Sequence, residues 1–214
     1  MRDINMLRRS SMFAAEVMEV FDRTPTEKEL VSQSKALCRE FIYSRLVREG
    51  LSWSKIEPDL PPPSGLLGDV SMVLLKLGDE LEYIRPYLFR NVAKQLNISV
   101  AVETMVSDAF LTVTTEILSL GVTWGKVVAI FAIAGGLAVD CVRQGHPAMV
   151  HTIVDSLGEL VRKSLVPWLK RRGGWEDISK CVVNTDTSAH SHWITAVLST
   201  WRQFVKTMYI YLTK

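Results

Sequence analysis

Apolar residues recur along this chain at three- and four-residue intervals, and no stretch alternates apolar with polar between turn residues, so the pattern predicts an all-α protein. Ser10 or Ser11 can cap a first helix carrying Phe13, Val17, Val20 and Phe21 on one face. Thr24-Pro25-Thr26-Glu27 then supplies an N-cap, a first-turn proline and a glutamate three residues on, the start of a helix to about Arg48 with Gly50 as its stop. Between 55 and 65, KIEPDLPPPSG holds four prolines, which remove backbone donors and predict a loop.

Val70, Leu74, Leu77, Leu81 and Ile84 fall at i, i+4, i+7, i+11 and i+14, predicting an amphipathic helix over 68–84. Gly78 interrupts it, at about 1 kcal/mol relative to Ala, and the acids Asp79 and Glu80 follow at once. Spacing alone leaves two readings open. One is an ordinary amphipathic helix that tolerates a glycine. The other is a ridge of anchors for a hydrophobic groove, with Gly78 lying against the groove wall and Asp79 reaching a cation on its rim.

Pro86 should break the chain before a short helix through Val92 and Leu96 that ends at Asn97. Val102, Val106, Ala109, Val113 and Ile117 mark the next face, closed by Gly121. Residues 127–139, VVAIFAIAGGLAV, have no charge and no polar side. A helix apolar all round must be enclosed by protein or lipid, and thirteen residues reach roughly 20 Å against a bilayer core of ~30 Å. A buried central helix is therefore expected, with Gly135 and Gly136 admitting close neighbours. Gly145-His146-Pro147 turns into a helix over 148–165, making a hairpin, and Pro167 is expected to interrupt before WLKRRGGW. Residues 193–212 have the length of a span, but Arg202 and Lys206 each oppose insertion by about 3 kcal/mol. That segment, with Trp193 and Trp201, can lie in an interface, fill a groove or span within a bundle.

Composition narrows the function. Hydrophobic residues make up 48% of the 214, and mean hydropathy is +0.14, which points to a large core or membrane contact. Lys plus Arg 25 against Asp plus Glu 23 leaves +2, too little for a protein that neutralises phosphates, so no nucleic-acid partner is expected. Cys38, Cys141 and Cys181 are odd in number and form no CxxC pair, as for reduced thiols. The amino terminus lacks the apolar run of a secretory signal. GxSxG, HExxH, P-loop and GxGxxG motifs are absent, and neither His146 with His151 nor His190 with His192 has metal-ligand spacing. Cys141 near His146 reads as a buried thiol, and Asp155 with Glu159 as a solvated helix face. No catalytic residue, metal or cofactor is expected.

The ridge has company. Leu74, Leu77, Gly78, Asp79, Glu80 and Leu81 resemble a third Bcl homology motif. Gly121, Trp124, Gly125, Lys126 and Val127 resemble the first, and Trp168, Gly173, Gly174 and Trp175 the second, all in family order. The chain is thereby identified as resembling the Bcl-2 family of apoptosis regulators over nearly its whole length. The resemblance implies a helical bundle over 1–186 around the central helix, with a surface groove, and a membrane-targeting helix over 187–214. It implies a pro-apoptotic effector that permeabilises the mitochondrial outer membrane by helix-in-groove oligomerisation, as homo-oligomers in the bilayer and in contact with other family members. A groove-bearing pro-survival sequesterer is the alternative. Cytoplasm, mitochondrial outer membrane and endoplasmic reticulum are the implied locations, with the Golgi a further candidate. One departure stands out: the family's first motif commonly reads Asn-Trp-Gly-Arg, and in relatives that Arg pairs with the Asp of an inserted helix. Lys126 offers only a point charge there, so weaker pairing is expected.

Overall fold

A computed structural model describes residues 25–53 and 63–183, and among them every regular element is helical. The expected helix around Phe13 and Val17, most of the proline loop, His190, His192 and the segment bearing Trp193, Trp201, Arg202 and Lys206 lie outside the described residues.

Helix α1 runs over Glu27–Arg48. Its cap is Thr26 and not Thr24: the Thr26 hydroxyl accepts from the Glu29 N–H, and the Glu29 carboxylate accepts from the Thr26 N–H at 2.7 Å. Two overlapping Thr/Glu pairs stand in the sequence, and the one whose glutamate closes a reciprocal box is the one used, leaving Pro25 outside the helix. Gly50, at φ +67, ends α1 as expected. The Leu51 N–H then reaches back to the Leu46 carbonyl and the Gly50 N–H to Val47, the two bonds of a Schellman closure.

Helix α2 covers Leu66–Ile84 and buries Val70, Leu74, Leu77, Gly78 and Leu81. Ile84, expected on that face, is exposed, because the helix ends there and the chain turns away at Pro86. Short helix α3, Val92–Gln95, is followed by Asn97 in the left-handed region. Helix α4 spans Glu103–Leu118 and α5 spans Trp124–Arg143, capped by the Thr123 hydroxyl. Helix α6, Met149–Leu160, continues through one π-turn, Val161–Leu165, into α7, Val166–Arg172. Pro167 therefore does not interrupt the chain. The wider turn, in which the Val166 N–H bonds the Val161 carbonyl, absorbs the donor that proline lacks, and Trp168 stays helical. Gly173 and Gly174, both at positive φ, turn the chain into a 3-10 turn, Trp175–Ser179, and a last short helix α8, Lys180–Val183.

Helix α5 is the axis. It packs against α1, α2, α3, α4 and α6 and is buried on all sides from Val127 to Cys141. Its Gly136 lies against the backbone of residue 89: a Cβ there would stand 2.5 Å from the Phe89 carbonyl oxygen. That contact draws the turn before α3 onto the core.

Candidate functional site

Helix α2 is clasped between α1 and the 3-10 turn Trp175–Ser179. The glycine of its ridge has a definite occupant. A Cβ built on Gly78 would lie 2.6 Å from two ring atoms of Phe41, and the same ring packs over Gly135 of α5 and edge-on to Phe131. One aromatic knob on α1 thus fills a slot that needs two glycines, one on each neighbouring helix.

Four and seven residues beyond Phe41 on the same face of α1, Arg45 and Arg48 continue the seam. Arg45 pairs with Glu82, and both are deeply placed, their side chains 6% and 12% exposed. Burial pushes the Arg45 guanidinium down to about 10, still charged at neutral pH, and Arg48 nearby acts in the same direction. Arg45 also donates to the Phe89 carbonyl at 3.5 Å. Nearer the surface, Arg48 pairs with Asp79, 41% and 52% exposed, and Arg143 of α5 pairs with Glu49. A cleft of about 510 Å³ opens beside these charges, walled further out by Tyr83, Pro86 and Arg90.

The ridge residues Val70, Leu74, Leu77 and Leu81 all face the core, while Glu80 is half-buried. Lys126, expected to meet an incoming acid, is buried, and its ammonium donates to the Gly121 carbonyl at 2.8 Å. Burial also lowers its pKa. Asp79 and Lys126 are thus each engaged inside the chain, by different partners.

The aromatic residues of the first and second motifs converge. The Trp124 ring stands 4.8 Å edge-on to Trp168 and 6.0 Å from Trp175, and Phe131 meets Trp175 at 5.9 Å. Val127 lies on the buried side of α5 one turn beyond Trp124, whereas Gly125 is half-buried and Gly121 and Gly173 are exposed turn residues. Gly174 is buried, with Pro25 against it. At the centre sits Asp177, which sequence reasoning missed. It accepts from the Trp124 indole at 2.8 Å and from Arg172 at 3.1 Å, and pairs with Lys180 at 2.8 Å. Burial alone would raise its pKa, but the bonds from Lys180, Trp124 and Arg172 outweigh it and hold the carboxyl below its ordinary value. The one available signal was its place two residues after Trp175. The Trp175 indole donates to the Leu30 carbonyl of α1 at 3.1 Å, closing the corner.

Nothing here is arranged for bond chemistry. Cys38 and Cys141 are buried, and burial raises both thiols, Cys141 to about 12, away from nucleophilic character. Asp155 pairs with Lys35, and Glu159 with Arg162 and Lys163. Among the described residues no group of three or more His, Cys, Asp or Glu could hold a metal. What the arrangement offers is mechanical: an apolar ridge, a glycine slot and a row of ion pairs joining one helix to another.

Comparison with known proteins agrees with that character. Residues 74–175 match the family described as apoptosis regulator proteins, Bcl-2 family. The chain is 71% identical over 211 residues to the Danio rerio Bcl-2-related ovarian killer protein homolog B, covering 99% of this chain and 100% of that one. A crystal structure of chicken BOK superposes with a TM-score of 0.66 at 64% identity, over 73% of this chain and 98% of that one. Trichoplax adhaerens trBcl-2L2, solved bound to trBak BH3, superposes with a TM-score of 0.63 at 25% identity, over 72% and 99%.

Proposed function

The chain belongs to the Bcl-2 family of apoptosis regulators, which are not enzymes, and on that premise we propose that it is a pro-apoptotic effector that permeabilises the mitochondrial outer membrane. The observation that carries this reading is α5. It is twenty residues long, apolar enough to cross a membrane, and sheathed by the rest of the bundle. In the folded chain it serves as the core, and in an effector the same helix would supply the apolar length that enters lipid. The short turn at residues 144–148 joins α5 to α6, whose apolar face would accompany it into lipid.

On this reading α2 is the exchanged element. Its ridge is buried and Gly78 is covered by Phe41, so α1 has to withdraw before α2 can leave. Freed, α2 would offer Leu74, Leu77, Gly78 and Leu81 to the groove of a second copy or of another family member, the kind of helix that the Trichoplax relative holds. Lys126 would meet Asp79 of the incoming helix only after giving up Gly121. Homo-oligomers in the bilayer follow from repeating that exchange. The mitochondrial outer membrane and the endoplasmic reticulum are the proposed sites of action, reached from the cytoplasm.

The test is dye release from liposomes by the purified full-length chain. An effector releases dye by itself and faster as protein is added. Release that stays at background while the protein still captures a third-motif peptide would leave the pro-survival sequesterer as the function.

A further inference from the structure

Residues 83–102 hold Arg85, Arg90 and Lys94 and no acidic residue, although the chain as a whole carries only +2. The stretch therefore carries +3 with no acid of its own to offset it. It forms the corner between α2 and α3. Tyr83 and Tyr87 project from it, 88% and 84% exposed, with Ile84, Arg85 and Arg90 also open to solvent.

The corner is built to hold that shape. Gln95 of α3 donates through its side-chain amide to three carbonyls of the turn, those of Tyr87 at 3.0 Å, Leu88 at 3.3 Å and Arg90 at 2.7 Å. The Leu88 N–H bonds the Arg85 carbonyl, and Asn91 takes a left-handed φ to start α3. Phe89 is buried, with its carbonyl pressed against Gly136 and accepting from Arg45. The pinned side of the turn faces the core, and its tyrosines and arginines are held outward at little further loss of backbone entropy.

We infer that this corner, Tyr83, Arg85, Tyr87 and Arg90 on a turn stapled by Gln95, docks the folded protein on an anionic lipid surface. Tyrosine rings settle at the headgroup level, where one end is apolar and the other wet. Arginines beside them gain from the negative surface potential, a factor of about five each. The inference goes beyond the effector reading: a folded sequesterer working at a membrane would use the same corner.

Partitioning of the full-length chain onto phosphatidylcholine vesicles, with and without a minor fraction of phosphatidylserine, tests it. Binding is expected to be stronger with phosphatidylserine and to weaken as salt is raised. Arg85→Gln with Arg90→Gln should lower the partition constant roughly 25-fold, and Tyr83→Ser with Tyr87→Ser should lower it as well, neither changing the thermal midpoint. Lys170→Gln with Arg171→Gln removes the same charge from exposed positions on α7 and should leave partitioning nearly unchanged. Equal losses in both charge pairs, no loss in the corner variants, or indifference to phosphatidylserine would overturn the inference. So would corner variants that abolish self-association in sedimentation but bind vesicles as before, since a second copy would then be the occupant. A chain that partitions as expected and releases no dye removes the effector reading alone.

Discussion

The seam between α1 and α2 and the tryptophan corner both hold α2, yet they are built from opposite materials. At the corner, three indoles and Phe131 enclose one carboxylate whose oxygens are met by Trp124, Arg172 and Lys180. At the seam, one aromatic ring sits in a glycine slot and two ion pairs grade from buried to half-exposed. Buried aromatic contact has no equal in water, whereas a half-exposed ion pair is replaced by hydration at little cost. The corner should therefore resist opening throughout, whereas in the seam only the outer pair, Arg48 with Asp79, should part at little cost, and Phe41 and the Arg45–Glu82 pair should hold.

Trp175→Ala should have the largest effect. It removes a 2% exposed ring with its bond to Leu30, and a loss of about 3–5 kcal/mol in chemical denaturation is expected. Glu82→Gln tests the buried end of the seam. It leaves Arg45 charged in the interior with only Glu49, at 3.9 Å, as a counter-charge, at up to about 3 kcal/mol, and should shorten the lag before dye release; a lag unchanged at lowered stability would separate the seam from opening. Gly78→Ala drives a methyl against Phe41 and should cost about 1–3 kcal/mol despite a better helix propensity. Combining it with Phe41→Leu should recover most of that loss, and additive losses would place the strain elsewhere.

The corner also has a pH signature. Asp177 titrates below its unfolded value of about 3.9, so its contribution is fully present above that pH and disappears as the pH falls through the folded pKa. Tryptophan fluorescence followed downward from pH 5 should show an acid transition that Asp177→Asn removes. The smallest effect belongs to Arg48→Ala, at the open end of the seam: below about 1 kcal/mol and fading with salt, because the pair with Asp79 is already in water's reach. A loss there as large as that of Glu82→Gln would mean that the seam is not graded.

Much of this is legible in the sequence. The three motifs stand in order, the ridge of α2 has helical spacing, and residues 127–139 admit only a buried or lipid-facing helix. What stayed hidden depends on partners far along the chain. Phe41 precedes the glycine it covers by more than thirty residues, and Asp177 lies 53 residues from Trp124. Neither carries a local mark, since a phenylalanine on an amphipathic helix and an aspartate after a tryptophan are ordinary neighbours. The start of α1 and the course past Pro167 escape a local reading for a related reason. Capping boxes compete with overlapping copies of themselves, and a single π-turn can absorb a proline when the helices on either side are held by packing.

The helical class, the apolar axis and the helical spacing of the ridge over 68–84 were legible in the sequence alone, because periodicity and capping act over a few residues and can be read wherever they occur. Tertiary structure alone decided that Gly78 belongs to Phe41, that Asp79 belongs to Arg48 and that Lys126 turns inward to Gly121. Those pairings depend on which helix faces meet. That choice is made by the packing of the whole bundle, where a slot exists only once two glycines and a ring have been brought to the same place.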